Sequence, residues 1–359
     1  MKTPKRAVGI LGAITLAAAL AVPASTASAV EVCDLSIATI VSTGNSDVLG
    51  SNGTDIVVYK NTVPSRVWLG GGNDKICIMG PVAPVVIYGQ GGGDRVIFQI
   101  PTQYTQPQHS IVYLDETNGS GTGDDYLNST GNWNADLSLD VYTDNGNNSV
   151  QLKSGGNQVN SGTGNDSIYG GSGADILLDG GGNNTIKGGA GNDQIGVGGS
   201  GVNKLYGEAG VDKISGSNGT DTIDGGASSD RLNARGGNDT IDGGDARDEL
   251  FGGSGNDTIL GGAGTDCIDG ESGNDSIDAG ADSDYEFLSC DSPSAGKIFG
   301  VHGGSGNDVI HGGAGGDTLF GDDGADQLFG DADNDLIYFD ADDTTVDGGP
   351  GADDLREDD

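Results

Sequence analysis

The chain is 359 residues long, and its composition is strongly biased towards glycine and aspartate. It contains 69 Gly, and its 54 acidic residues outnumber 16 basic ones, which gives a formal charge of −38 at pH 7. Because nucleic acid and anionic membrane surfaces repel such a chain, neither is expected as a partner. Nearly all the acidic residues are Asp, whose short carboxylate on a tight glycine turn suits a hard cation such as Ca²⁺.

Residues 1–29 have the pattern of a secretory signal peptide. A basic start containing Lys2 is followed by an apolar stretch at 7–22 and by the small-residue sequence Ala-Ser-Ala, which ends at Ala29. We therefore expect cleavage after Ala29 and an extracellular, secreted protein. The apolar stretch is short for a membrane span of roughly 20 residues, so no transmembrane segment is expected after cleavage.

The four cysteines indicate two disulfides, because a secreted chain enters an oxidising compartment. Four Cys allow three pairings, and proximity in the sequence favours Cys33 with Cys77 and Cys267 with Cys290. Each bridge would close a loop of tens of residues and stabilise the fold by about 3–4 kcal/mol in the chain-entropy model. No CxxC spacing supports the alternative of metal-binding thiols.

A nine-residue phrase recurs in register through much of the C-terminal two thirds. Residues 252–260 read GGSGNDTIL, and residues 261–269 follow at once as GGAGTDCID. Positions 1 to 6 of the phrase are rich in Gly, Asn and Asp, which tolerate the positive φ of a tight turn. Positions 7 to 9 form a short strand with an aliphatic residue at position 8. A fixed short period of this kind predicts a solenoid.

Position 8 predicts the core of this solenoid. One nonapeptide turns the chain by half a coil, so two repeats complete a circuit, and residues 18 apart stack on the same edge. The predicted inward ladder consists of Ile168, Leu177, Ile186, Ile195, Leu205, Ile214, Ile223, Leu232, Ile241, Leu250, Ile259, Ile268 and Ile277.

Position 6 predicts the metal ligands. Stacking places its carboxylates above one another, and like charges about 5 Å apart in a partly desolvated turn repel by several kcal/mol. The spacing therefore predicts a divalent cation between them. The aspartates that occupy position 6 are Asp166, Asp175, Asp193, Asp212, Asp221, Asp230, Asp239, Asp248, Asp257, Asp266, Asp275, Asp284, Asp308, Asp317, Asp326, Asp335 and Asp353.

The repeat resembles the hemolysin-type calcium-binding repeat (RTX nonapeptide) family over residues 143–284 and 303–356. The resemblance implies a parallel β-roll that binds multiple Ca²⁺ ions between successive turns, through turn carbonyls and the position-6 Asp side chains. Cys33 and the sequence Gly-Asn-Asp-Lys-Ile-Cys that ends at Cys77 resemble the opening of many secreted bacterial calcium-binding proteins.

The register also ranks the predicted sites. Asn replaces Asp at position 6 in residues 148, 157, 184 and 203, where an amide oxygen keeps a ligand but loses a charge and predicts a weaker site. Thr344 also lacks a carboxylate at this position, which predicts weaker sites in the last coils. Upstream of residue 212, the predicted pair with two carboxylates is 175/193. Full sites are predicted at the pairs 212/230, 221/239, 230/248, 239/257, 248/266, 257/275, 266/284, 308/326, 317/335 and 335/353.

The expected fold class is all-β, a parallel β-roll or β-helix solenoid of nonapeptide repeats with an irregular β cap at its N-terminal end. A separate small β domain is the alternative for that N-terminal third. The predicted boundaries are a signal peptide at 1–29, an irregular β cap with degenerate repeats at 30–142, a calcium-binding β-roll at 143–284, an insert with a disulfide at 285–302 and a second β-roll segment at 303–359.

The sequence favours a non-enzymatic protein that binds calcium and folds as it does so. One alternative is a calcium-dependent adhesin or extracellular-matrix component that contacts a cell-surface glycan or protein. Trp68, Trp133 and Tyr142 would then mark a sugar-binding face, although such aromatics also pack within caps.

The other alternative is a divergent secreted hydrolase with its site in residues 30–150. The sequence contains neither HExxH nor GxSxG, and the recurrent Asp residues indicate metal binding rather than a glycosidase pair. His109, His302 and His311 are interpreted as surface residues. The last two are nine apart, so they are expected on opposite sides of the roll.

Overall fold

The computed structural model describes residues 40–42, 48–49, 53–54, 56–59, 66–78, 84–98, 108–114, 123–129, 137–284 and 300–357. Regular structure in these ranges is entirely β-strand. Within them, no helix is long and apolar enough to cross a membrane. The predicted signal peptide and most of the predicted insert lie outside the described residues.

The chain forms a parallel β-solenoid whose strands alternate between two sheets of 16 strands each. Odd-numbered strands form the first sheet and even-numbered strands the second. The strands are β1 Ile40–Ser42, β2 Val48–Leu49, β3 Ile56–Tyr59, β4 Arg66–Trp68, β5 Lys75–Ile78, β6 Val86–Tyr88, β7 Arg95–Phe98, β8 Gln108–Tyr113, β9 Tyr126–Asn128, β10 Leu137–Thr143, β11 Ser149–Gln151, β12 Gln158–Thr163, β13 Ser167–Ser172, β14 Ile176–Gly181, β15 Thr185–Ala190, β16 Gln194–Val197, β17 Lys204–Ala209, β18 Lys213–Ser215, β19 Thr222–Ala227, β20 Arg231–Asn233, β21 Thr240–Asp245, β22 Glu249–Ser254, β23 Thr258–Ala263, β24 Cys267–Ser272, β25 Ser276–Ala281, β26 Val301–Gly306, β27 Val309–His311, β28 Thr318–Gly324, β29 Gln327–Phe329, β30 Leu336–Phe339, β31 Thr345–Asp347 and β32 Asp354–Glu357.

The predicted circuit of two repeats is confirmed by the strand register. Ile241 of β21 pairs with Ile259 of β23, which is 18 residues further along the chain. The glycine at position 4 permits this stacking, as Gly255 shows. Gly255 has φ 131°, and a β-carbon on it would collide with the carbonyl oxygen of Gly237 in the coil before.

The circuit length changes where the sequence departs from the repeat. Ile186 pairs with Leu205, one residue beyond the regular spacing. Across the insert, Ile277 of β25 pairs with Ile310 of β27, so the sheets continue in register on the far side. Strand β26 begins at Val301, two residues before the position where the sequence suggested that coils resume.

The predicted core ladder is confirmed, since each of its members is at most 2% exposed. It continues upstream through Val57, Ile76, Val96 and Leu127, each of which lies two residues after an Asp in the sequence, as position 8 follows position 6 in the repeat. Leu49, which also lies two residues after an Asp, is instead 75% exposed. The described strands on both sides of residue 142 therefore share one apolar core.

Four aromatic rings stack along the outer face of the second sheet. Trp68, Tyr88, Tyr113 and Tyr142 occupy equivalent positions in β4, β6, β8 and β10, with centroids 5.5, 5.3 and 4.9 Å apart. All four side chains are half-buried. Trp133 lies outside the described residues.

The prediction that all three histidines lie at the surface is wrong for His302. It is 5% exposed, because its ring stacks on Phe320 of the next coil at a centroid distance of 4.3 Å and its Nδ1 lies 2.8 Å from Asp322 Oδ2. The side chains of His109 and His311 are 53% and 44% exposed. His302 and His311 belong to different sheets, as predicted.

Cys77 and Cys267 are both buried, and neither is a free thiol. Their predicted partners, Cys33 and Cys290, lie outside the described residues, so the two pairings stay predictions. The last strand, β32, is exposed along its whole length and consists of Asp354, Leu355, Arg356 and Glu357.

Candidate metal centre

The position-6 side chains lie at the turns between the sheets, immediately before the strands, and stack in two columns. Sixteen of the seventeen predicted aspartates are buried, and Asp353, in the last coil, is partly exposed. One column runs through Asp221, Asp239, Asp257 and Asp275, and the other through Asp212, Asp230, Asp248, Asp266 and Asp284. The predicted stacking of acidic side chains is therefore present in the fold.

One carboxylate oxygen of each aspartate links successive coils. The backbone N–H of Asp230 donates to Asp248 Oδ1 at 2.7 Å, and the N–H of Asp248 donates to Asp266 Oδ1 at 2.8 Å. The bond recurs along both columns. Each Oδ1 thus satisfies a buried backbone donor that the turn would otherwise leave without a partner.

The other carboxylate oxygen, Oδ2, is buried and accepts no hydrogen bond from any described residue in fifteen of the seventeen aspartates. A buried carboxylate oxygen without a donor or a cation is costly, because it has lost its hydration. These fifteen are Asp166, Asp175, Asp193, Asp212, Asp230, Asp239, Asp248, Asp257, Asp266, Asp275, Asp284, Asp308, Asp317, Asp326 and Asp335.

Asp221 differs from these fifteen because its Oδ2 has donors. The backbone N–H of Ser217 lies 2.7 Å from this oxygen and the Ser217 hydroxyl 3.1 Å from it. A local serine thus provides what the other turns lack, so Asp221 has less need of a cation.

The glycine at position 1 marks where the oxygen atoms converge. A β-carbon on Gly252 would lie 2.6 Å from Asp257 Oδ2 and 2.7 Å from the carbonyl oxygen of Gly270, one coil further on. A carboxylate oxygen and a carbonyl oxygen therefore meet across a small space that only glycine leaves open. Hard oxygen donors of these two kinds are the ligands that Ca²⁺ takes in proteins, so the residues present fit this ion.

Burial raises the pKa of these carboxyl groups. Desolvation is the main cause, and it raises the pKa of Asp248 and Asp284 to about 8 and that of Asp230 and Asp275 to about 7. The backbone N–H donor to each carboxylate lowers the pKa, and carboxylates in neighbouring coils raise it. The turns thus favour a bound positive charge, either a proton or a metal ion.

Each coil contributes a single carboxylate to a given turn. Among the residues that the structure describes, no three His, Cys, Asp or Glu side chains cluster closely enough to hold a metal. Backbone carbonyl oxygens, such as that of Gly270, are the further donors that line these turns.

The sequence profile described as RTX calcium-binding nonapeptide repeat (4 copies) matches this chain in six segments. They are 142–177, 169–196, 197–232, 224–259, 251–286 and 302–337, and together they span half of the chain. The chain belongs to the RTX calcium-binding repeat family. Among curated proteins, no sequence matches it.

The structure contains three stacked pairs of RTX aspartates that are not 18 residues apart and that the predicted spacing therefore missed. Asp193 lies over Asp212, because the intervening coil has one extra residue. Asp275 pairs with Asp308, and Asp284 with Asp317, across the insert. The insert length, read together with the phrases on either side of it, is the signal that could have found these two pairs.

Asp343 occupies the place that the RTX register assigned to Thr344. Its Oδ1 accepts the N–H of Asp326 at 2.9 Å, and its Oδ2 accepts the N–H of Asp340 at 2.9 Å. The circuit from Asp326 to Asp343 is 17 residues, one fewer than the regular 18. The prediction that Thr344 fills this place in the column is therefore wrong, and an aspartate fills it. Upstream, Asp74, Asp94 and Asp125 stack in the same manner as the position-6 aspartates.

Proposed function

We propose that this chain is a secreted, non-enzymatic protein whose β-roll takes up many Ca²⁺ ions and folds as it does so. The observation that carries the proposal is the set of fifteen buried Oδ2 atoms that accept no hydrogen bond from the described residues. The seventeen predicted aspartates would hold the ions together with turn carbonyls. The bound ion would supply positive charge between carboxylates that are otherwise costly to bury.

Coupling between ion uptake and folding follows from the composition. The inward ladder is one aliphatic side chain per half coil, and the chain must order many glycines against a formal charge of −38. Ligands that come together only in the folded coil convert ion-binding energy into folding energy. Secretion would bring the chain from a calcium-poor to a calcium-rich compartment, and the N-terminal pattern of residues 1–29 supports this route.

The domain boundaries remain part of this proposal. We assign residues 30–142 to an irregular cap that covers the first coil edge, 143–284 and 303–359 to calcium-binding roll segments, and 285–302 to an insert. The continuous core on both sides of residue 142 supports a cap of the solenoid over a separate domain.

Replacing Asp248 with Ala is expected to lower the number of Ca²⁺ ions bound in a calorimetric titration of the mature chain. Asp248 contacts Asp230 and Asp266 in the coils on either side, so its loss disturbs two turns. Asn184→Ala is the matched control, because it removes an amide from an equivalent buried position and should cost fewer ions than Asp248→Ala. Equal losses from the two variants would contradict the assignment of the aspartates as ligands.

A second candidate function, adhesion to a glycan, is favoured by the aromatic stack of Trp68, Tyr88, Tyr113 and Tyr142. Aligned, half-buried aromatic side chains offer apolar ring area together with hydroxyl groups. A sugar also presents both apolar and hydroxyl groups, so it can bind to such a row. The full mature chain should then be retained on insoluble cell-wall glycan, and Tyr113→Ala should lose most of that retention. Tyr206→Ala, which changes a tyrosine of β17 in the first sheet, is the control. Equal retention of both variants would exclude the stack as the contact surface.

A further inference from the structure

The four position-6 asparagines make contacts that differ in kind from those of the aspartates. Asn157 Nδ2 donates to Gly155 O at 3.0 Å, to Gly170 O at 3.3 Å and to Asp175 Oδ1 at 2.9 Å. Its amide group therefore directs hydrogen atoms at carbonyl and carboxylate oxygens of the turn.

The turn of Asp257 offers a direct comparison, because Gly270 stands to Asp257 as Gly170 stands to Asn157. In the aspartate turn, Oδ2 and the Gly270 carbonyl oxygen face the same small space, and no described residue donates to that Oδ2. In the asparagine turn, an N–H of Asn157 joins the side chain to the equivalent carbonyl oxygen. The amide nitrogen thus satisfies oxygen atoms that a cation would otherwise bind.

The orientation of the Asn157 amide is set from both sides. Its Oδ1 accepts the backbone N–H of Leu139 at 3.0 Å, in the same way that each aspartate Oδ1 accepts a backbone donor. Turning the amide over would remove this bond and place its oxygen against Gly170 O and Asp175 Oδ1. The nitrogen is therefore the atom that faces the turn.

Two further asparagines also direct their amide N–H groups at oxygen atoms of their turns, without the bond to a carbonyl oxygen 13 residues further on that Asn157 makes. Asn203 Nδ2 donates to Gly201 O at 3.2 Å and to Asp221 Oδ1 at 2.7 Å. Asn148 Nδ2 donates to Gly146 O at 3.2 Å and to Asp144 O at 3.3 Å.

Asn184 is the fourth member of the set. Its Nδ2 donates to Asp179 Oδ1 at 2.7 Å and to Asn203 Oδ1 at 3.0 Å. All four asparagines lie between residues 148 and 203, at the N-terminal end of the regular repeats. The amide donors are therefore concentrated in one section of the roll.

We infer that these asparagines take the place of the metal ion, so that their four turns bind no Ca²⁺ and hold neighbouring coils together without it. The inference rests on the proposed calcium-binding function of the aspartate turns. It differs from the interpretation of Asn as a weaker ligand, because the amide contributes donors to the turn rather than an oxygen to an ion. These four turns then stay closed without calcium, whereas the aspartate turns, including those of Asp166, Asp175 and Asp193 between them, need the ion.

Hydrogen–deuterium exchange of the full mature chain in excess chelator tests this inference. The backbone amides of Leu139, Asp166 and Asn184 donate to the Oδ1 atoms of Asn157, Asn184 and Asn203. They should exchange at least tenfold more slowly than the amides of Asp239 and Asp257, which donate to aspartate Oδ1 atoms. Equal or faster exchange at the asparagine turns would overturn the inference.

Two reciprocal substitutions sharpen the test. Asn157→Asp would place a carboxylate oxygen against Gly170 O, so it should abolish the protection of Leu139 in chelator and raise the number of Ca²⁺ ions bound in calcium. Asp257→Asn should increase the protection of Asp239 in chelator and lower the ion count. If Asn157→Asp changes neither quantity, or if Asp257→Asn reduces protection, the inference fails.

The two claims fail separately. If the unaltered chain binds no Ca²⁺ in a calorimetric titration, the proposed function is wrong, whereas the exchange rates in chelator still decide whether asparagine turns are the more stable. If the chain binds Ca²⁺ but the two substitutions leave the exchange rates unchanged, the proposed function stands and the role of the asparagines is wrong.

Discussion

Excess chelator at neutral pH is expected to remove most of the β-sheet circular dichroism signal of the mature chain, and added Ca²⁺ is expected to restore it. Fifteen buried carboxylate oxygens accept no hydrogen bond from the described residues, so each ionised carboxylate is destabilising unless a cation or a proton is bound. The apolar ladder is narrow, and the formal charge of −38 opposes compaction. The signal that remains should come from the coils that asparagine stabilises.

The control separates ion binding from charge screening. Sodium chloride at matched ionic strength screens the surface charges to the same extent but does not supply a divalent ion to the turns. It should restore little of the signal. A spectrum that chelator leaves unchanged would contradict folding coupled to calcium.

The pH dependence of stability is expected to reverse its sign when calcium is added. In the metal-free fold, desolvation raises the pKa of Asp248 and Asp284 to about 8 from an ordinary value near 4. The folded state therefore binds protons more tightly than the unfolded state. In chelator, its stability should be greatest at the acidic end and should fall as pH rises from about 4 to about 8.

With calcium present the same carboxylates must lose their protons before they can bind the ion. Apparent Ca²⁺ affinity should therefore rise with pH over this window, by roughly tenfold per pH unit for each proton displaced. Thermal unfolding at pH 5 and pH 8, with chelator or with Ca²⁺, measures both trends. Parallel trends in the two conditions would show that the buried carboxylates do not bind the ion.

The nonapeptide period was sufficient to predict the fold, the core ladder and the two acidic columns. Glycine at position 4 and an aliphatic residue at position 8 constrain the backbone and the core so closely that alternatives to a solenoid are few. Positions such as Ile241 and Asp248 could therefore be assigned from spacing alone.

The remaining features depend on contacts that spacing does not encode. The pair 275/308 is stacked because the sheets resume in register after the insert, and Asp343 enters its column because the local circuit is shorter. His302 is buried by a ring in the next coil. The orientation of the asparagine amides is another such feature, because the direction of their N–H groups depends on the oxygen atoms around them and not on residue type alone.

The final strand has a consequence for assembly. Parallel coils in register have no intrinsic end, so an open edge of the last coil could template a further copy and grow into a fibre. Strand β32 carries Asp354, Arg356 and Glu357 in four exposed residues. Charged side chains along an edge strand disfavour the addition of another chain. The charged side chains of β32 therefore disfavour pairing of this strand with another copy of the chain.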